Sequence, residues 1–169
     1  MWRWFAGFHR QRALPLLMSS PLPIILIAED SPLDVEMTLT ALAEHHLANE
    51  VVVAADGEEA LDYLYHRGKF QERVPGNPIV ILLDLKMPKV DGLEVLRVVK
   101  QDPGLRMIPV VMLTSSREEQ DLVRSYQLGA NAYVVKPVGF PEFVEAVKQL
   151  GVFWAMHNEP PPGTQGRGP

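Results

Sequence analysis

The sequence predicts an α/β fold, a five-stranded, doubly wound parallel sheet carrying five helices. Three observations predict it. Short apolar runs rich in β-branched residues recur between residues 22 and 150, as expected of strands buried on both faces of a parallel sheet. A segment with helical spacing follows each run. Acidic or other polar residues stand where the runs end. Such alternation favours helices on both faces over segregated α and β layers, because right-handed crossovers carry the chain back across the sheet.

The first strand is expected over residues 24–28, after Pro21 and Pro23. Glu29 and Asp30 follow at once; Ser31 and Pro32 then read as an N-cap and a first helical position. Val35, Leu39 and Leu42 continue at near-helical spacing toward His46. The second strand is expected over residues 50–54, and Asp56 with Glu59 three residues later marks the start of its helix. Residues 66–78 are polar, with Gly68, Pro75, Gly76 and Pro78, and predict an ordered loop longer than usual. The third strand is expected over 79–83 and the fourth over 108–113, with Ser116 and Glu119 predicting a second capping pair. The fifth is expected over 132–135. A last helix starts near Phe140 or Pro141 and runs to about Met156.

A chain of 169 residues with 47% hydrophobic content fits one domain with a substantial core and leaves no room for a second output domain. Residues 1–20 are basic and aromatic, with no acidic residue; they read as a disordered leader or an upstream-start extension ahead of Met18. Arg3, His9, Arg10 and Arg12 interrupt that stretch, so it is too short and charged to span a bilayer and lacks the apolar core of a secretory signal. Membrane association is not expected. The folded domain is expected over residues 21–157, with a Pro/Gly-rich tail over 158–169 that cannot continue a helix. A net charge of -5 and a pI near 5.5 argue against a nucleic-acid surface and leave a protein as the expected partner. The absence of cysteine excludes disulfides and thiolate metal sites, and a cytoplasmic location is expected.

In an open parallel sheet, ligands bind beyond the carboxyl ends of the strands. Glu29 and Asp30 end the first strand, Asp84 the third, Thr114 the fourth, and Lys136 follows the fifth. Three carboxylates converging in one crevice repel one another, and a hard divalent cation resolves the conflict. Magnesium suits the oxygen donors: Asp30 and Asp84 as direct ligands, Glu29 through water, and the backbone carbonyl of Lys86 as a third protein ligand. Asp84 is central enough to attack phosphorus and form an acyl phosphate. The Lys136 ammonium and the Thr114 hydroxyl would then serve the oxygens of the transferred group. Any one of these residues alone is more often an ordinary loop or turn residue; their joint occurrence at successive strand ends carries the reading.

The segments ILIAEDSPLD, ILLDLKMPKVDGLEVL, VVMLTSS and GANAYVVKPV, in this order, resemble the receiver domains of two-component response regulators. The resemblance covers roughly residues 22–150. It implies a flavodoxin-like sheet of order 2-1-3-4-5, Glu29 and Asp30 as the acidic pair, Asp84 as phosphoacceptor, Thr114 as the switch hydroxyl and Lys136 as the family's invariant lysine. Tyr133 matches the aromatic switch position. A sensor histidine kinase is the implied phosphodonor, and the implied readout surface is the fourth helix, fifth strand and fifth helix, about residues 117–154. The chain is then a phosphoacceptor and not an enzyme in its own right, though it assists its own phosphotransfer and dephosphorylation. ALDYLYHRGKF, the long loop before the third strand and FWAMHNEPPP are similar to stand-alone regulators that take phosphate from phytochromes. That subfamily implies a homodimer involving Phe153 and Trp154, which could equally just cover the core.

Three rival functions fit the residues less well. A phosphatase with an aspartyl-phosphate intermediate resembles a pattern with a second Asp two residues after the nucleophile, where this chain has Lys86. A degenerate receiver acting only as a docking module usually lacks the phosphoacceptor or the acidic pair, and both are present. Nucleotide binding would need a glycine-rich phosphate loop after the first strand, and none is there.

Overall fold

The computed structural model describes residues 23–43 and 50–154. Five strands, β1 (Ile24–Ala28), β2 (Glu50–Ala54), β3 (Val80–Leu83), β4 (Val110–Thr114) and β5 (Ala132–Val135), form one parallel sheet of order β2-β1-β3-β4-β5. Five α-helices alternate with them: α1 (Pro32–Ala43), α2 (Gly57–Leu64), α3 (Gly92–Gln101), α4 (Glu119–Gln127) and α5 (Phe140–Val152). The predicted fold class, strand order and helix count are all met. The expected leader (1–20), the tail (158–169), the end of the first helix beyond Ala43 and that of the last helix beyond Trp154 lie outside the described residues.

The two-residue period of a strand divides the core into two layers. Ile25, Ile27, Val80, Leu82, Val111 and Leu113 face α1 and α5, where they meet Ala41, Leu42, Phe143 and Val147. Leu26, Ala28, Ile81, Leu83, Val110 and Met112 face the other way, onto Ala60, Tyr63 and Leu64 of α2 and Val95, Leu96 and Val99 of α3. Both sets are buried, which is why the central strands read as unbroken apolar runs and not as alternating patterns.

Three local expectations are corrected. β4 starts at Val110, two residues later than expected, and ends at Thr114, one residue later, because Ile108 closes a turn onto the Leu105 carbonyl (2.9 Å) and Pro109 has no N–H to give the ladder. The apolar character of Ile108 serves the core instead. β3 opens at Val80, although the Ile79 amide already donates to Ile24 (2.9 Å). Ser116 and Glu119 do not form a capping pair: α4 begins at Glu119 itself, and the Ser116 hydroxyl donates to Asp121 (2.7 Å).

Other caps hold. The Asp34 amide donates to Ser31 Oγ (3.3 Å), and Asp56 accepts from the Glu59 amide (2.8 Å). Asp91 caps α3 through the Glu94 amide (2.9 Å). The long loop is ordered around a 3-10 turn, Gly68–Phe70; Arg73 pins it by donating to the Tyr63 (2.8 Å) and Gly76 (2.8 Å) carbonyls while its guanidinium lies 4.0 Å over the Tyr63 ring. Among the described residues, no helix is long and apolar enough to cross a membrane.

Candidate functional site

The site forms where the strand order reverses, beyond the carboxyl ends of β1 and β3, with β4 and β5 alongside. Backbone bonds carry the ladder one residue past each strand: Glu29 donates to the Ala54 carbonyl (3.0 Å), Asp84 to Ala28 (2.9 Å) and Lys136 to Thr114 (2.8 Å). The functional side chains therefore spring from backbone that is still held by the sheet.

Glu29, Asp30 and Asp84 each present a carboxylate oxygen, and these oxygens lie within 4.8 Å of one another. Glu29 and Asp84 are buried and Asp30 is exposed. Lys136 enters from the β5 side. Its ammonium bonds Glu29, donates to Asp34 Oδ2 at 2.7 Å, and stands 3.4 Å from Asp84 Oδ1. Burial pushes the Glu29 carboxyl up, only partly countered by its bond to Lys136. Burial alone would lower the Lys136 ammonium, but Asp34, Glu29 and Asp84 together hold it above the ordinary lysine range.

Asp84 Oδ2 accepts from the Lys86 amide (3.1 Å), so the loop after β3 orients the carboxylate from below while Lys136 faces its other oxygen. That loop is tightly drawn. Lys89 adopts a left-handed conformation (φ 63°), and the Gly92 amide donates to Leu85 (2.8 Å). A Cβ on Gly92 would fall 2.1 Å from the Asp84 carbonyl oxygen, so this position takes only glycine without movement of the loop. Lys89 also pairs with Asp56 (2.7 Å) and Glu58 (3.1 Å) at the start of α2.

Thr114 is buried at the end of β4, and its hydroxyl oxygen accepts from the Ser116 amide (3.2 Å). The Tyr133 hydroxyl donates to the Ser116 carbonyl (3.1 Å). Ser116 thus touches both expected switch residues and, through Asp121, the first turn of α4.

Of the residues singled out from the sequence, Glu29, Asp30, Asp84 and Lys136 meet at this edge, the Lys86 amide bonds Asp84, Thr114 ends the adjoining strand and Tyr133 reaches Ser116, whereas Phe153 and Trp154 lie elsewhere. Those two stack edge to face (5.0 Å) at the end of α5, Trp154 against the core and Phe153 half-exposed. Two participants escaped the sequence reading. Asp34 carries a weak local signal, an acid in the first turn of a helix, but nothing local ties it to a lysine 102 residues away. Ser116 carries only the signal of a cap in the sequence. The donor set suits a hard divalent cation: clustered carboxylate oxygens, no nitrogen or sulfur ligand in the group, and a single lysine that cannot neutralise them all.

Comparison with known proteins agrees with this geometry. The family described as "Response regulator receiver domain" matches residues 25–148. Response regulator Rcp1 of Synechocystis sp. is 38% identical over 136 residues, covering 80% of this chain and 91% of that protein. Its Mn(2+)-bound crystal structure superposes with a TM-score of 0.77 at 35% identity over 82% of this chain and 99% of that one. The bacteriophytochrome response regulator AtBRR is 66% identical, with a TM-score of 0.66 over 82% of this chain and 99% of that one. The phosphorylated cyanobacterial phytochrome response regulator RcpA is 38% identical, with a TM-score of 0.78 over 83% and 99%. Relatives associated with phytochromes are thus among its matches, as the loop and C-terminal segments suggested. On the match over residues 25–148, with the strand order and strand-end residues that accompany it, the chain belongs to the response regulator receiver domain family.

Proposed function

We propose that this receiver accepts a phosphoryl group on Asp84 from the phosphohistidine of a sensor histidine kinase, and that the kinase is a bacteriophytochrome. One observation carries the reading. Asp84 stands within one carboxylate cluster and 3.4 Å from the Lys136 ammonium, so it is the buried nucleophile with a cation on hand. A phosphorylated form of RcpA and the bacteriophytochrome regulator AtBRR, both similar to this chain, support it.

An Asp84 carboxylate oxygen attacks phosphorus, the phosphorus–nitrogen bond of the donor breaks, and an acyl phosphate forms while its electron pair leaves with the imidazole. Magnesium would be held by Asp30 and Asp84, with Glu29 through water and the Lys86 carbonyl as the further ligand; the Mn(2+)-bound form of Rcp1 supports a divalent cation. When bound, the ion supplies positive charge to the phosphoryl oxygens. Lys136 neutralises another oxygen, and the Thr114 hydroxyl donates to a third once it turns inward. The chain is a phosphoacceptor and not an enzyme with a separate substrate.

The new dianion then biases two packings of the β4–α4 region, with Thr114 drawn toward Asp84 and Tyr133 following. The α4-β5-α5 surface carries the signal to a protein partner. Homodimerisation through this surface and Phe153 with Trp154 belongs to the same reading, as do a cytoplasmic location and the absence of nucleic-acid and membrane partners. Incubation with acetyl phosphate, with and without magnesium, should add one phosphoryl group by intact mass only when magnesium is present, and Asp84→Asn should remove the gain. A gain that survives Asp84→Asn sinks the proposal.

A further inference from the structure

Asp34 has no part in the reaction just described, yet it makes a 2.7 Å ion pair with the lysine on which that reaction depends. Its place is set by α1. It lies in the first turn, its amide is capped by Ser31, and its side chain is only partly exposed.

The three carboxylates around Lys136 face different demands. Asp84 is the reacting group, and Glu29 shares with Asp30 and Asp84 the cluster that would take a cation. Asp34 lies outside that cluster, so it is the partner of Lys136 that neither the phosphoryl group nor the cation claims. An ammonium carries three N–H donors on a flexible four-carbon stem. In the structure Glu29 and Asp34 hold two of them, and the remaining direction faces Asp84 at 3.4 Å.

Resting on the role proposed for Asp84 and Lys136, we infer that Asp34 is a positioning residue that anchors the Lys136 ammonium, keeping it aimed at Asp84 when Glu29 turns to a cation. The opposite effect, repulsion of an anionic phosphodonor by a fourth carboxylate, is moderated by the ammonium 2.7 Å from Asp34 and predicts the reverse change in rate.

Two variants of the full chain separate these effects. Asp34→Asn keeps an oxygen that accepts one N–H and removes the charge; Asp34→Leu removes both. The first readout is the side-chain ammonium resonance of Lys136 in 15N-labelled protein, assigned by its loss in Lys136→Met. It should be sharp in the parent, weakened in Asp34→Asn and broadened away in Asp34→Leu. The second is the rate of acyl-phosphate formation from acetyl phosphate and magnesium. That rate should fall by about 10- to 100-fold in Asp34→Leu, the scale of a misplaced catalytic group, with partial rescue in Asp34→Asn.

An unchanged ammonium resonance in Asp34→Leu overturns the inference. So do two variants that phosphorylate as fast as the parent or faster, because Asp34 would then act as a repulsive charge. If Asp34→Leu does not fold, Asp34→Asn decides: an unchanged resonance there overturns the anchor. If the parent takes up no phosphoryl group, the role of Asp84 fails, while the resonance still decides the anchoring.

Discussion

Replacing Lys136 by Met keeps most of the aliphatic stem and removes the charge that faces Glu29, Asp34 and Asp84. The lysine side chain is 9% exposed, and Glu29 and Asp84 are 6% and 9% exposed, so the carboxylates left behind are poorly solvated. Breaking a buried pair from one side costs about 3–5 kcal/mol; the solvent-facing mouth of the crevice argues for the lower end, about 3 kcal/mol. For a chain of this size that corresponds to roughly 10 °C in the unfolding midpoint.

The penalty should depend on pH. Lys136 has a raised pKa, so its contribution is complete below the ordinary lysine value and is lost only as pH rises through its higher folded value; it is fully present at pH 7. Glu29 is raised by burial even with Lys136 beside it, and without the lysine it rises further. A carboxyl raised on folding contributes stability below its unfolded value near 4.5, and that contribution is lost as pH rises through the folded value. The deficit of Lys136→Met should therefore be small in mild acid and largest at neutral pH. Urea unfolding followed by circular dichroism, in chelator and at several pH values, measures it. A variant as stable as the parent at pH 7, or a deficit constant from acid to neutral, refutes the electrostatic argument.

Two further outcomes follow from local geometry. Gly92→Ala places a Cβ 2.1 Å from the Asp84 carbonyl oxygen and 2.9 Å from Leu85 Cα, backbone atoms that cannot rotate away. It should cost about 3 kcal/mol, the upper end for overpacking, and slow acyl-phosphate formation; parental values in both denaturation and phosphorylation assays would contradict it. Asp56→Ala removes both the cap on the Glu59 amide and the pair with Lys89, a loss of about 1–2 kcal/mol at pH 7. Although burial opposes it, bonds to Lys89 and to the Glu59 and Glu58 amides hold the Asp56 carboxyl below the usual range. Its contribution is thus present above the unfolded value of 3.8 and lost as pH falls through the folded one, so the variant and parent should converge in strong acid.

Much of the fold was legible because burial on both faces leaves a continuous apolar run, as at residues 79–83, and because Asp56 and Ser31 announce helix starts within four residues. The strand-end chemistry was legible for a related reason: a parallel sheet delivers every strand's carboxyl end to one edge, so Glu29, Asp84, Thr114 and Lys136 had to meet there once the alternation was recognised. Where a residue has two uses, the reading failed. Ile108 looked like strand and serves a buried turn, while Ser116 looked like a cap and bonds Asp121 instead.

By itself, then, the sequence determined the parallel α/β architecture, its strand order by resemblance, and that Glu29, Asp84, Thr114 and Lys136 stand at successive strand ends, since these follow from periodicity and from residues adjacent in the chain. The tertiary structure alone decided how the charges are shared. That Lys136 is divided among Glu29, Asp34 and Asp84, and that Gly92 lies against the Asp84 backbone, depends on distances between segments. Electrostatics and close packing act through space, and no local pattern encodes a contact between α1 and the loop after β5.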